Sequence, residues 1–169
     1  MIGAKFAMPE SAQDRPNVII FPPIILAATI AIGCLLQWAM PIGALADISQ
    51  AWRLSLGVLV ILAGVLLAAT GRRMLVRLGT NVSPSRPTTE LATEGVFAWT
   101  RNPLYGGGTL VMLGIALALA IVWLLFLILP SLLVLHFGVV RREEQYLERK
   151  FGDQYRLYKQ HVPRYGLGI

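Results

Sequence analysis

Apolar residues in this chain run in long blocks that contain no charge. Residues 17–46 carry no charged side chain, residues 54–71 form a second block, and residues 104–140 form a third, 37 residues long. A helix needs about 20 apolar residues to cross a bilayer, so the pattern predicts a multi-span, all-α integral membrane protein. The first span is expected over residues 18–40, with Pro22 and Pro23 in its opening turns, where missing amide donors cost least, and with Pro41 helping to end it. The second, over residues 54–71, carries Gly57, Gly64 and Gly71 at steps of seven, which puts all three on one face and predicts close approach of another helix. The third block is too long for one helix and long enough for two, so it predicts a hairpin and brings the total to about four spans. Residues 120–123 offer no glycine, proline or polar turn residue, and Trp123 marks the tip only as an interfacial aromatic. Pro130 predicts a kink rather than a turn, because a turn there would leave too short a final segment.

Composition agrees with this layout. The 169 residues are 56% hydrophobic and 14% charged, against roughly 45–50% and about 25% in soluble domains. The single cysteine, Cys34, excludes an intramolecular disulfide and a cysteine-based metal site, and no metal is expected. The formal charge of +6 would suggest nucleic acid in a soluble chain; here the basic residues flank apolar blocks, so the bilayer and its anionic headgroups are the expected partner. Residues 72–101 hold five arginines, the tail from Arg141 holds seven lysines and arginines, and the first connection holds only Arg53. The positive-inside rule then predicts that both basic segments and both termini are cytoplasmic. Ala44-Leu45-Ala46 resembles a signal-peptidase site, but the preceding apolar stretch is long and Lys5 and Arg15 are balanced by Glu10 and Asp14, so a retained span is expected. The chain divides into residues 1–77, with two spans, and residues 78–169, with the hairpin, a cytoplasmic loop and an amphipathic tail, all within one structural domain. In the loop, Pro84 and Pro87 with Ser83 and Ser85 predict an extended stretch.

Candidate chemistry collects where the loop and tail meet the hairpin. Arg101-Asn102-Pro103-Leu104-Tyr105-Gly106-Gly107-Gly108 opens the third span. Three glycines at a helix start cost about 0.8–1.0 kcal/mol each relative to alanine, which points either to close backbone approach of an anionic ligand or to a flexible re-entry turn. After the fourth span comes Arg141-Arg142-Glu143-Glu144. Glu144 is expected to pair with Arg141 three residues back, whereas Glu143 has only apolar helical neighbours and either protrudes into water or serves a cationic or hydroxyl-bearing partner. His136, seven residues before Glu143 and so nearly on its face, is an intramembrane ionisable group, explained either by a site or by a backbone hydrogen bond. The tail, with Phe151, Tyr155, Tyr158, Arg164 and Tyr165, can lie at the interface, fold over a pocket, or do both.

The run Gly79-Thr80-Asn81-Val82, the segment Leu91-Ala92-Thr93-Glu94-Gly95, Arg101-Asn102-Pro103-Leu104-Tyr105-Gly106, Arg142-Glu143-Glu144, and Phe151-Gly152-Asp153-Gln154-Tyr155 with Arg164 together resemble the isoprenylcysteine carboxyl methyltransferase family and the related phospholipid methyltransferases. The resemblance covers residues 78–165. It implies a membrane enzyme that uses S-adenosylmethionine from the cytosol to methylate a lipophilic acceptor. By the family pattern Arg101, Pro103, Tyr105, Gly106, Glu143 and Glu144 help bind the cofactor, and the intervening Asn102 and Leu104, with Gly107, His136 and Tyr155, complete the candidate set. Asn102 stands where the family's best-known form has histidine, and asparagine cannot titrate.

For a carboxylate acceptor no general base is needed, and Arg101 or Arg164 would orient it, so Arg101, Arg164 and Glu143 are the candidate catalytic residues. The implied activity is carboxyl O-methylation of a prenylcysteine-like or lipid-like acceptor; N-methylation of a phospholipid amine, which needs a base, is the alternative within the class. A non-catalytic membrane subunit, with glycines and glutamates serving packing and docking, is the alternative outside it.

Overall fold

The computed structural model describes residues 14–84 and 86–166; Lys5, Glu10 and Ser85 lie outside the described residues. Among these every regular element is a helix: α1 (Pro22–Ala39), α2 (Gln50–Arg77), a short 3-10 turn (Gly95–Ala98), α3 (Pro103–Ala118), α4 (Val122–Leu135), a π turn (His136–Val140), α5 (Arg141–Phe151) and α6 (Asp153–His161). Three helical stretches are long and apolar enough to cross a membrane: α1, α2 and the run from α4 through α5, with α3 a shorter apolar helix. At 16 residues and 1.5 Å per residue, α3 is about 24 Å long, short of the roughly 30 Å hydrocarbon core.

Local chemistry sets the boundaries. α1 begins at Pro22 rather than at residue 18, because Phe21 is extended and a residue preceding proline is driven out of the helical region. α2 starts at Ser49, whose hydroxyl accepts from the Trp52 amide at 3.4 Å. It continues through Arg72, Arg73 and Arg77, well past the charge-free block, and stops at Gly79 (φ 69°). There the Gly79 and Thr80 amides bond back to the Val76 and Leu75 carbonyls. The described residues of the loop that follows are non-helical to Glu94, as its prolines predict.

The hairpin between α3 and α4 turns over residues 119–121. The Ala120 and Ile121 amides bond back to the Leu117 and Ala116 carbonyls, and Ile121 packs on Ala116. This is a Schellman end with alanine in the left-handed position, at φ 53°. Trp123 beside it donates from its indole to the Met40 carbonyl at 2.7 Å, tying the tip to the end of α1. Left-handed alanine costs about 1–2 kcal/mol, so Ala120→Gly is expected to raise the thermal midpoint in detergent, by less than that full amount because glycine also frees the unfolded chain. A lowered midpoint would contradict this account of the turn.

Helix α2 lies antiparallel against α3, which packs on α4, which packs on α1. Gly57, Gly64 and Gly71 form the α2 contact face, as their spacing predicts. A Cβ on Gly57 would stand 2.7 Å from the Gly114 carbonyl oxygen, and one on Gly64 would stand 2.6 Å from that of Gly107. Gly107 and Gly114 are themselves seven apart, so two matched glycine pairs let the backbones meet. Proline at 130 stays inside α4, and no turn forms there.

Candidate active site

Two sites meet at the entrance to α3. One is a polar cleft of about 80 Å³ lined by Arg101, Asn102, Tyr105, Glu143, Glu144, Tyr155 and Tyr158 with apolar neighbours from the loop. The other is a partly open cavity of about 640 Å³, bounded by α1, α2, α3 and α4 and lined almost wholly by apolar side chains. Val82, Leu104 and Tyr105 line both.

The cleft is built around Glu144. Its carboxylate accepts from Arg164 Nε at 2.9 Å and from Arg164 Nη2 at 2.7 Å, a two-pronged pair. Arg101 Nη1 stands 2.8 Å from Oε1 of the same glutamate, on the opposite side from its helical neighbours. The expected pairing of Glu144 with Arg141 is therefore corrected. Arg141 instead lies over the Phe137 ring, 5.6 Å from its centroid. The helix turns Glu144 inward, where it is only 8% exposed, and a buried carboxylate needs cations that the loop and tail supply.

Arg101 is itself buried. Its Nη1 is close to Glu144 but out of line for a hydrogen bond, and neither Nη1 nor Nε meets an acceptor. Buried donors without acceptors cost about 1–3 kcal/mol each, and functional sites are where such costs are tolerated.

Glu143 faces the junction. Its Oε2 accepts from the Tyr105 hydroxyl at 2.8 Å, a hydroxyl-bearing partner of the kind its apolar helical neighbours imply. Tyr105 comes from the first turn of α3, which Pro103 starts as its first residue.

The tail folds over the cleft. The Arg101 amide donates to the Pro163 carbonyl at 3.1 Å. Asn102 Nδ2 and Thr100 Oγ1 donate to the Arg164 carbonyl at 3.1 and 2.9 Å. The Tyr158 hydroxyl donates to the Phe97 carbonyl at 2.7 Å. Tyr155 is 1% exposed, and burial pushes its phenol above the usual range, with Glu144 adding to the effect. Asn102 thus serves as a strut between loop and tail rather than as a helix-capping side chain.

Of the candidate residues, the structure brings Arg101, Asn102, Pro103, Leu104, Tyr105, Glu143, Glu144 and Tyr155 into the cleft lining, with Arg164 bonded to Glu144. Gly106 faces Leu67 loosely, Gly107 packs on Gly64, and Gly107 with Gly108 borders the apolar cavity. His136 lines neither space; its Nδ1 is 2.8 Å from the Tyr165 hydroxyl. The shared face expected with Glu143 assumes ideal helix spacing, and a five-residue π turn, His136–Val140, lies between them and departs from it. The same turn frees the Gly138 carbonyl, which accepts from the Ile19 amide at 3.1 Å and holds the segment before α1. Sequence reasoning passed over Thr100 and Arg72, the second of which lines the cavity. A stripe of Val65, Ala68, Ala69 and Arg72 along one face of α2 was the available signal.

The chain matches the phospholipid methyltransferase family model over residues 52–154, more than half of its length, and it belongs to that family. The match takes in α2, which lies before the stretch of motifs read from sequence, and ends before Arg164. An uncharacterized protein of Haemophilus influenzae is 45% identical over 70 residues, which is 41% of this chain and 86% of that protein. No solved structure matches the chain. As a member of the family it is a membrane methyltransferase, and the family generally uses S-adenosylmethionine.

Proposed function

We propose that this methyltransferase uses S-adenosylmethionine held in the polar cleft to methylate a lipophilic acceptor lying in the apolar cavity. The observation that carries the reading is the junction: Val82, Leu104 and Tyr105 belong to both spaces, so a polar donor and an apolar acceptor can meet there without either leaving its own solvent environment. The donor set fits the cofactor. Glu143 offers a carboxylate to cationic groups, Arg101 Nε, which meets no acceptor among the described residues, offers a donor to a carboxylate, and Tyr155 offers an aromatic wall. The bound cofactor supplies an electrophilic methyl group on a sulfonium.

At about 80 Å³ the cleft must widen to take a nucleoside-sized molecule. Residues 162–166, held by Arg164 and by backbone bonds to the loop, are the closing element. On this reading the loop, tail and both termini face the cytoplasm, and residues 78–169 carry the reaction while residues 1–77 supply α1 and α2 as cavity walls.

Carboxyl O-methylation is the reaction we favour. Arg72 in the cavity wall and Arg101 in the cleft wall, with Arg164 bonded to Glu144 behind it, set three arginines against Glu143 and Glu144, a balance that suits an anionic acceptor. Such an acceptor needs no general base; it needs its water removed and its oxygen held in line, which the apolar cavity walls provide. N-methylation of a phospholipid amine is favoured by one observation, the Glu143–Tyr105 pair at the junction, which would accept the proton that an ammonium must lose.

Calorimetric titration of the detergent-solubilised protein with S-adenosylmethionine tests the cofactor site. Saturable binding is expected, weakened about tenfold by Glu143→Gln and by Tyr105→Phe, with the double variant little worse than either because both remove one hydrogen bond. No saturable binding to the wild type, or unchanged binding in both variants, would reject the assignment.

A further inference from the structure

Among the described residues the apolar cavity has a single charged residue in its wall, Arg72. Val65, Ala68, Ala69 and Arg72 lie at steps of three and four along α2, so they share the face of that helix that lines the cavity. Arg72 is exposed and forms no ion pair or side-chain hydrogen bond among the described residues, while Arg101 and Arg164 both stand at Glu144. Arg73 and Arg77, on the same last turns of α2, line neither space. A general need for positive charge at this membrane face explains all three arginines equally; it does not explain why one of them is placed on the cavity wall.

The cavity wall also fixes the shape of what fits. α1 and α2 both border it, yet α1 packs on α4 and α2 on α3, so between α1 and α2 the space is not sealed by helix packing. An extended hydrocarbon chain can enter there from the bilayer without crossing water. Arg72 is exposed and also lines the cavity, and a long basic side chain can cover apolar surface with its stem while keeping its charged head near water, where a headgroup would rest.

We infer that Arg72 is the specificity-determining residue for the acceptor: it pairs with a singly charged oxyanion, a carboxylate or a phosphodiester, on a lipid whose hydrocarbon chain fills the cavity. This rests on the proposal that the acceptor occupies the cavity. Neutral lipids of the same chain length then lack the contact and bind less well.

Photolabelling tests both layers separately. The full-length protein in detergent is exposed to three diazirine-bearing probes of equal chain length: a fatty acid, a phosphodiester lysolipid and a fatty alcohol. Labelled peptides are then located by mass spectrometry. Labelling by an anionic probe is expected on cavity-wall peptides containing Leu26, Met112 or Leu132, falling about tenfold in Arg72→Gln and unchanged in Arg73→Gln. The alcohol should label the same peptides weakly and equally in all three proteins. Loss with the fatty acid alone, or with the lysolipid as well, identifies which oxyanion Arg72 serves. Equal anionic labelling in wild type and Arg72→Gln would overturn the assignment, as would an equal fall with the alcohol, which marks a structural effect. Absence of cavity labelling by every probe would overturn the cavity as acceptor site, and the role of Arg72 with it.

Discussion

Glutamine in place of Glu144 is expected to abolish methyl transfer and to release the tail from the loop. The substitution keeps the size of the side chain but removes the charge that faces both Arg101 and Arg164. Removing one partner of a buried ion pair typically costs about 3–5 kcal/mol, because the remaining charge is left without compensation. Arg101 is 9% exposed at its side chain and cannot turn to water, whereas Arg164, at 29%, can. The segment that gives way should therefore be residues 162–166. Hydrogen exchange reads this directly: the Arg101 amide, bonded to the Pro163 carbonyl, should lose protection while the amides of α2 and α3 keep theirs. Adding Arg164→Gln to Glu144→Gln should cost far less than the sum of the two single changes, since the pair is then removed together. Wild-type protection at Arg101 in the Glu144→Gln protein would contradict the proposed latch.

The second large effect separates neighbouring glycines. Gly107→Ala is expected to destabilise the helix pair by about 1–3 kcal/mol, the usual cost of overpacking, because the new methyl group would meet backbone that cannot rotate aside. Its Cβ would stand 2.5 Å from the Gly64 carbonyl oxygen and 2.9 Å from the Ala68 amide nitrogen. Gly106→Ala places its Cβ 3.7 Å from Leu67 Cδ2, an ordinary contact. It should stabilise the helix by up to about 1 kcal/mol, the normal gain of alanine over glycine. Thermal midpoints of the two variants in one detergent give the comparison. Equal midpoints would mean that α2 and α3 are not in backbone contact.

Those glycines also mark the limit of reading the sequence. The steps of seven at Gly57, Gly64 and Gly71 were enough to predict a helix contact, yet the same spacing in Gly107 and Gly114 was masked by the run Gly106-Gly107-Gly108. That run directed attention to a ligand. Only the antiparallel register assigns Gly107 to packing with α2. The hairpin was legible from length alone, but its turn was not, because the left-handed residue is Ala120 and alanine carries no turn signal. In the cleft, residue types and order pointed to Arg101, Tyr105, Glu143 and Glu144, while the pairing did not follow. A helix extended in ideal geometry gives Glu144 a neighbour at Arg141 and puts His136 beneath Glu143. The π turn and the fold-back of the tail break both inferences, and neither has a mark in local sequence. Arg72 was hidden for a related reason: it counted as one of five arginines in a basic loop until α2 was seen to run on through it.

The central claim is that cofactor and acceptor meet at Tyr105, at the border of the polar cleft and the apolar cavity. Its most direct test is incubation of the purified protein with methyl-labelled S-adenosylmethionine and a membrane lipid extract, followed by separation of the lipids and mild alkali treatment of the labelled fraction. The account predicts label in a lipid-soluble product, released as volatile methanol by alkali as a methyl ester would be, and sharply reduced in Tyr105→Ala. Label in the lipid-soluble product that alkali does not release as a volatile compound would keep the methyltransferase and move the acceptor to an amine. No label in any lipid-soluble product, or undiminished labelling by Tyr105→Ala, would contradict the account.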